Sequence, residues 1–420
     1  MIAYDEERLK AVGVVEALRA GVPTRVSTRA LPELREDLIE MIQDDLELLR
    51  EEQGIPGRLI WGRYGQGKTH VLTTVEHLAL EMGFAVSRVS LSREVSCHNL
   101  GHFYSRVAPL LRTPDSAVYG LQRKLNQKKA TDLPESQIMK PGRYSHPLPA
   151  IILEDYFYAE GQEQDLLYGY LLGEKVALSE LKRIHKVYRG QPMPRFERNF
   201  KAGEDATALF GMLADAICFC GCRGWVILID ELELVGRLGK ISRLKAYRNL
   251  NWLLNWSGTM RYPIYTVAAA AENLRDEMWH PTEVKGVKAN MMHDEVVMPE
   301  LALEKFGETA RDEIGKFFEI GTISDRCPII KPVTEEALVG LLEELVLIHG
   351  RAYGWDASLN VGKLLHDLNS PTVRTCIRAT LEALDICYLY HEEVIPEAED
   401  LVASTLEEDE NFFSDTAEED

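Results

Sequence analysis

A run of small and basic residues, Gly62-Arg-Tyr-Gly-Gln-Gly-Lys-Thr69, carries the spacing G-x-x-x-x-G-K-T. Those residue types in that order suit the holding of phosphate. Glycines at 62, 65 and 67 let the backbone curl until successive N–H groups point inward, and a helix opening at the end of the curl adds its own unpaired N–H groups. Lys68 then reaches the β- and γ-phosphates and the Thr69 hydroxyl reaches a magnesium ion, with Gln66 and His70 completing the cofactor-binding stretch. Four fixed positions arise by chance in roughly one or two chains in a hundred of this length, so the context decides. Leu59 to Trp61 reads as a short strand, and from Lys68 the apolar residues Val71, Leu72, Val75, Leu78, Ala79 and Met82 recur at helical spacing until Gly83. Strand, loop and helix are the arrangement the motif requires.

A second motif supplies acids. Trp225-Val-Ile-Leu-Ile-Asp-Glu231 is an unbroken apolar run ending in two carboxylates, the pattern of a buried parallel strand that stops at a metal site. Asp230 is suited to hold Mg²⁺ through water, and Glu231 to polarise the water that attacks a γ-phosphate. Glu233 repeats the acidic spacing but would point away from Asp230. The Asn-Lys-x-Asp motif of guanine-nucleotide proteins does not occur, so the expected cofactors are ATP and Mg²⁺ and the expected reaction is ATP hydrolysis.

The elements that must position these residues follow from periodicity. Helical patterns over Leu9–Arg19 and Leu31–Glu52 precede the first strand, so residues 1–56 form an N-terminal helical segment placed to close over the nucleotide. Residues 57–302 form the core. Its strands are expected at Leu59–Trp61, 84–91, Trp225–Asp230, Ile264–Ala270 and, last, Glu295–Met298, with helices at Leu100–Leu111, Ala206–Cys218 and Ile241–Trp256. Residues 112–203 read as an irregular, polar and basic insertion with one helix from Leu166 to Tyr188. Residues 303–390 show only helical patterns and form a small lid or winged-helix-like domain. Alternating strands and helices imply an α/β fold, a phosphate-loop nucleoside triphosphatase with a central parallel sheet flanked by helices.

Charge and composition narrow the class. The 420 residues carry 47 Lys+Arg and 67 Asp+Glu, a net charge of −20, and 13 of the acids lie in residues 391–420, which hold no Lys or Arg. That tail reads as solvated and disordered. The remaining body, near −7, does not suit a protein that coats nucleic acid over its whole surface. One local patch does: Lys182, Arg183, Lys186, Arg189, Arg195, Arg198 and Lys201, with Tyr188, Phe196 and Phe200 interleaved, pairs cations for phosphates with rings for bases. Arg123, Lys124, Lys128 and Lys129 form a second basic run in the same insertion. No leader and no membrane-spanning stretch is read, and seven cysteines, among them Cys218, Cys220 and Cys222, suit a reducing compartment, so the cytoplasm is expected. The three crowded cysteines lack the partners of a closed zinc site and read as structural, as does the pair His98 and His102.

The order of parts, phosphate loop, insertion, apolar strand ending in Asp-Glu, another strand and a helical lid, resembles AAA+ ATPases, nearest the ORC/Cdc6 branch. More narrowly, the chain resembles the ATP-binding proteins of BREX phage-defence systems, the BrxD-like group. The stretches that carry this are Ala17-Leu-Arg-Ala-Gly-Val-Pro23, Gly62-Arg-Tyr-Gly-Gln-Gly-Lys-Thr-His70, Gly83-Phe-Ala-Val-Ser-Arg-Val-Ser-Leu91, Leu178-Ser-Glu-Leu-Lys-Arg-Ile-His185 and Ile229-Asp-Glu-Leu-Glu-Leu-Val235. The resemblance implies a γ-phosphate sensor after the fourth strand. Ala268 to Ala271 fill that stretch here, and Asn273 is the nearest amide. It also implies a lid arginine, for which Arg374 stands first and Arg378 second, and an arginine offered to a neighbouring subunit, drawn from Arg243, Arg248 or Arg261. A homo-oligomer, DNA, and a helicase or other defence-system protein are the implied partners. The alternative is a slowly hydrolysing nucleotide-dependent switch or scaffold.

Overall fold

Two stretches, Trp225–Asp230 and Ile264–Ala271, are apolar apart from Asp230 and Thr266, as suits strands covered on both faces, and every residue in them is buried. The computed structural model describes residues 6–20, 24–51, 54–116, 120–280, 293–323, 325–368 and 372–391. The acidic tail from residue 392, Gly21-Val22-Pro23 and Ser370-Pro371 lie outside them. In chain order the elements are α1 (Glu6–Arg19), α2 (Arg25–Ala30), α3 (Glu36–Glu51), β1 (Arg58–Gly62), α4 (Lys68–Glu81), β2 (Ala85–Ser90), α5 (Leu100–Val107), α6 (Gly120–Leu125), α7 (Leu148–Tyr156), α8 (Gly161–Leu171), α9 (Leu178–Arg189) and α10 (Ala206–Phe219). There follow β3 (Trp225–Asp230), α11 (Lys240–Leu253), β4 (Ile264–Ala271), α12 (Asp294–Phe306), α13 (Glu308–Ile323), α14 (Glu335–Tyr353), α15 (Val361–Asp367) and α16 (Val373–Tyr390).

The strands form one sheet in the order β1-β4-β3-β2. β2, β3 and β4 run parallel, in a register that sets Ser90 beside Asp230 and Ile264 beside Trp225. The free edge of β1 is satisfied by the segment after α13, where Leu59 N–H donates to Arg326 O at 3.0 Å and Trp61 N–H to Pro328 O at 2.9 Å. This is the α/β architecture with a central sheet and flanking helices that the motif order implies.

The chain divides into two compact units. One contains Met1–Ile39, Gly62–Thr74 and Ile330–Asp420, and the other Glu40–Trp61 and Val75–Ile329. Each has its own core. The first is built from α1, α14 and α16 through Val14, Val15, Leu342, Leu345 and Leu384. The second surrounds the sheet, with Trp61, Phe210, Trp225, Tyr247 and Phe317 among its residues. The division falls after Ile329, not at 303, because α13 is held in the sheet unit. Phe317 and Phe318 stack edge-on with Trp279, and the Trp61 indole donates to Gly321 O at 3.1 Å.

Two expectations need correction. The segment Glu295–Met298 is helix, the start of α12, with Pro299 inside it. A short apolar run does not distinguish strand from helix, and the outcome is visible in burial: Met298 and Ala302, four apart, are buried while Val296 is 55% exposed. Residues 112–203 are more regular than expected. They hold α6 to α9, whose Leu121, Ile152, Leu153, Leu167, Leu181 and Ile184 join the core around the sheet. The single helix expected over 166–188 is two, broken at Gly173, whose φ of +97° is left-handed and whose Cβ, if it had one, would lie 2.7 Å from Ser105 Cα.

Asp45 fixes β1 in its unit. This buried carboxylate accepts from Arg58 Nε at 2.5 Å, Arg326 Nη1 at 2.9 Å and the Tyr265 hydroxyl at 2.6 Å. Removing one partner of such a cluster leaves charge uncompensated, so Asp45→Ala should cost about 3–5 kcal/mol, measured by urea denaturation. A loss within ~0.5 kcal/mol, the range of an ordinary surface substitution, would contradict this.

In the other unit His349 is buried and neutral. Its Nδ1 accepts from the Trp355 indole N–H at 3.0 Å, and since an indole only donates, the proton sits on Nε2 facing Asp385 Oδ1 at 3.1 Å. Burial lowers its pKa, against the pull of Asp385. The folded state thus binds fewer protons, and this contribution is fully present above the ordinary histidine value of about 6.5 and is lost as pH falls from there through the lower folded value. In thermal melts the advantage of wild type over His349→Gln should shrink on acidification below that value. A constant difference would contradict the assignment.

Candidate functional site

The loop after β1 takes the form its glycines permit. Gly65 and Gly67 have φ of +75° and +93°, both left-handed. A Cβ on Gly65 would meet Thr372 Oγ1 at 2.8 Å, and one on Gly62 would meet Ile330 at 3.2 Å. The turn is closed by Gln66, whose N–H donates to Arg63 O and whose Oε1 accepts from Arg63 N–H at 2.9 Å. Val71 N–H to Gly67 O at 3.0 Å then starts α4. Lys68 is buried and folded onto its own loop. Its Nζ donates to Gly62 O at 3.1 Å and lies 4.8 Å from the centre of the Tyr64 ring. Thr69 stands in the first turn, where its carbonyl accepts from the Thr73 hydroxyl at 2.8 Å.

Three groups of the same unit, Thr372, Arg35 and Glu33, contact this loop or the start of α4. Thr372, the N-cap of α16, sits against Gly65, with its hydroxyl accepting from Thr375 N–H at 3.2 Å. Arg374 follows in the first turn of α16 and is exposed; Arg378, one turn on, is half-buried. From the N-terminal segment, Arg35 is buried and donates through Nη2 to Gln66 O at 3.4 Å, while its Nε has no hydrogen-bond partner. Burial lowers the Arg35 pKa. Glu33 accepts from the Thr74 hydroxyl at 2.8 Å and stands 3.7 Å from His70 Nε2. Burial also lowers the His70 pKa, with Glu33 opposing and Arg35 reinforcing. The loop suits a polyphosphate: open glycine positions, a helix N-terminus and an ammonium group are gathered together.

The acids belong to the sheet unit. Asp230 ends β3, is 2% exposed, and accepts from Glu231 N–H at 3.1 Å; its other oxygen faces Arg88 Nη2 at 3.4 Å. Glu231 has φ of +58°, a left-handed conformation that non-glycine residues rarely hold and that clusters at functional sites. Glu233 is buried and turned to β4: its Oε2 accepts from Ala271 N–H at 3.0 Å and its Oε1 has no partner. Asn273 is exposed, just before a single π-helical turn at Leu274–Trp279. A hard oxygen donor such as the Asp230 carboxylate is of the type that holds Mg²⁺.

Several expected residues stand differently. Of the seven cations in 182–201, Arg183 pairs with Glu163 and Glu180, Arg189 with Glu154, Arg198 with Asp205 and Lys201 with Glu204. Lys182, Lys186 and Arg195 form no ion pair among the described residues. Phe196 and Phe200 pack edge-on against His146. Arg243 is buried against Asp294 and Arg248 lies over the Phe306 ring, leaving Arg261 as the exposed member of that trio. Burial pushes the Cys218 and Cys220 thiols up to about 12, so they are protonated near neutrality. Sequence reasoning missed Arg35, Thr372, Glu76 and Arg88. Only Arg88 left a signal, the one charge in a strand of small and apolar residues.

No described helix is long and apolar enough to cross a membrane. Residues 7–126 match the family model of the BREX system ATP-binding protein BrxC/D. No curated protein matches the chain. Among solved structures it is similar to the Aeropyrum pernix ORC2 protein, determined as ADPNP–ADP complexes, at 12% identity over 91% of this chain and 72% of that one, with a TM-score of 0.39. It is also similar to the Aeropyrum pernix ORC1 protein in complex with DNA, at 13% identity over 87% and 63% of the two chains, with a TM-score of 0.35.

Proposed function

We propose that the protein binds ATP with Mg²⁺ and hydrolyses it, as a cytoplasmic, self-associating component of a BREX-type anti-phage system. The observation that carries this reading is the loop 62–70, with two left-handed glycines and Lys68 held at its centre; the match of residues 7–126 to a BREX ATP-binding family supports it. On binding, Lys68 exchanges Gly62 O for the β- and γ-phosphate oxygens, and the loop N–H groups take the remaining charge. Thr69 and Asp230 are the residues that would hold Mg²⁺, which when bound neutralises phosphate charge. Glu231 orients water and accepts its proton as the water oxygen bonds the γ-phosphorus and the bond from that phosphorus to the β–γ bridging oxygen breaks, so that ADP leaves with that oxygen and phosphate is released. Asn273 is assigned as the γ-phosphate sensor, Arg374 as the lid arginine, and Arg261 as the residue offered to a neighbouring subunit.

The second reading, a slow switch or scaffold that assembles partners, is favoured by one feature: Ala268 to Ala271 place no polar side chain at the end of β4. A turnover that stays slow with DNA present supports it, and strong stimulation supports a motor or loader.

Lys68→Ala should abolish binding of a fluorescent ATP analogue. Glu231→Gln should bind normally, retain unhydrolysed ATP and turn over at least about 100-fold more slowly. Wild-type turnover in either variant would refute these roles. A DNA contact through the unpaired cations Lys182, Lys186 and Arg195 should show a log–log salt slope of about −3, and reversing those three charges should remove it. An affinity unchanged by the reversal would remove the patch from the account.

A further inference from the structure

Three buried aspartates of the sheet unit share one mode of bonding. Asp45, Asp215 and Asp294 are each held by short bonds from both an arginine and a tyrosine: Arg58 at 2.5 Å and Tyr265 at 2.6 Å, Arg143 and Tyr144 at 2.8 Å, Arg243 at 2.9 Å and Tyr247 at 2.8 Å. These are locked. Asp230 is as deeply buried, yet Arg88 stands off at 3.4 Å.

The sheet register accounts for the meeting. Ser90 is the direct neighbour of Asp230, and Arg88, two residues back on the same face of β2, reaches it diagonally. The guanidinium has a second acid on its other side: Arg88 Nη1 lies 4.0 Å from Glu76 Oε2 on α4, and Glu76 also takes Arg112 Nη1 at 3.3 Å. The series Arg112, Glu76, Arg88, Asp230 alternates in sign and sums to zero. A divalent cation added at Asp230 would face a guanidinium already there, and Glu76 offers that guanidinium another position.

We propose that Arg88 is the exchangeable counter-ion of Asp230: it neutralises the buried carboxylate before metal arrives, competes with the divalent cation for it, and moves toward Glu76 when the cation binds. Arg88 is thereby a positioning residue that sets metal affinity. The proposal rests on the reading of Asp230 as the metal-holding acid.

The test is Mn²⁺ binding to the full chain with AMP-PNP, read by the electron paramagnetic resonance signal of free Mn²⁺, with circular dichroism checking the fold. Arg88→Gln should tighten Mn²⁺ on the order of tenfold, within the usual span of coupling between sites. Asp230→Asn should weaken it, and the double variant should match Asp230→Asn. Glu76→Gln, which removes the alternative position, should weaken Mn²⁺ several-fold, so the proposal stays testable if Arg88→Gln does not fold. Unchanged or weaker binding in Arg88→Gln, or unchanged or tighter binding in Glu76→Gln, would overturn the Arg88 proposal alone. Unchanged binding in Asp230→Asn would overturn the metal assignment beneath it.

Discussion

A backbone that turns its N–H groups inward cannot carry side chains on the inside of the turn. In this protein that constraint is met at Gly62, Gly65 and Gly67, and the surroundings are built tightly against two of them. Thr372 approaches Gly65 closely enough that a single added carbon would collide, and beside Gly62 such a carbon would force Ile330 to give way by a few tenths of an ångström. The loop, the first turn of α4 and the start of α16 therefore form one packed arrangement. Lys68 is held at its centre by carbonyls of the loop itself. An ammonium buried beside carbonyl oxygens and an aromatic face is satisfied, yet each of those partners is weaker than a phosphate oxygen.

The sheet unit solves a different problem, that of keeping charge inside an apolar core. Asp45, Asp215 and Asp294 are each bonded by several donors, and such clusters fix the elements that carry them: β1 through Arg58, α10 through Arg143, α12 through Arg243. Asp230 shares their burial without their bonding. It is followed by Glu231 in a left-handed backbone that costs on the order of 1–3 kcal/mol to hold. Backbone strain and loose ion pairing therefore fall at adjacent positions, Glu231 and Asp230.

How much of this was legible in the sequence depended on range. The loop could be read because its chemistry is local: glycine, lysine and threonine at fixed offsets dictate the turn and the helix start. The buried strands β3 and β4 could be read because unbroken apolar runs have few other uses. Residues 112–203 misled because polar loops dilute the apolar positions, and four short helices with long connections show little periodicity in any one window. Glu295–Met298 misled because four residues cannot separate a period of 2 from one of 3.6. The cationic stretch 182–201 looked available for nucleic acid because its neutralising partners Glu154, Glu163 and Asp205 come from other segments or lie at its edge. Long-range partners of this kind, Arg35 to Gln66 and Thr372 to Gly65 included, are set by tertiary packing that composition does not encode.

The account turns on whether the loop and the two acids act on one nucleotide. A crystal structure of the full chain with AMP-PNP and Mg²⁺ tests this most directly. The predicted result has β- and γ-phosphate oxygens within hydrogen-bond distance of Lys68 Nζ and the loop N–H groups, with Thr69 and, through water, Asp230 around the metal. A loop left empty at saturating nucleotide, or a metal whose shell excludes Asp230 and Glu231, would contradict it.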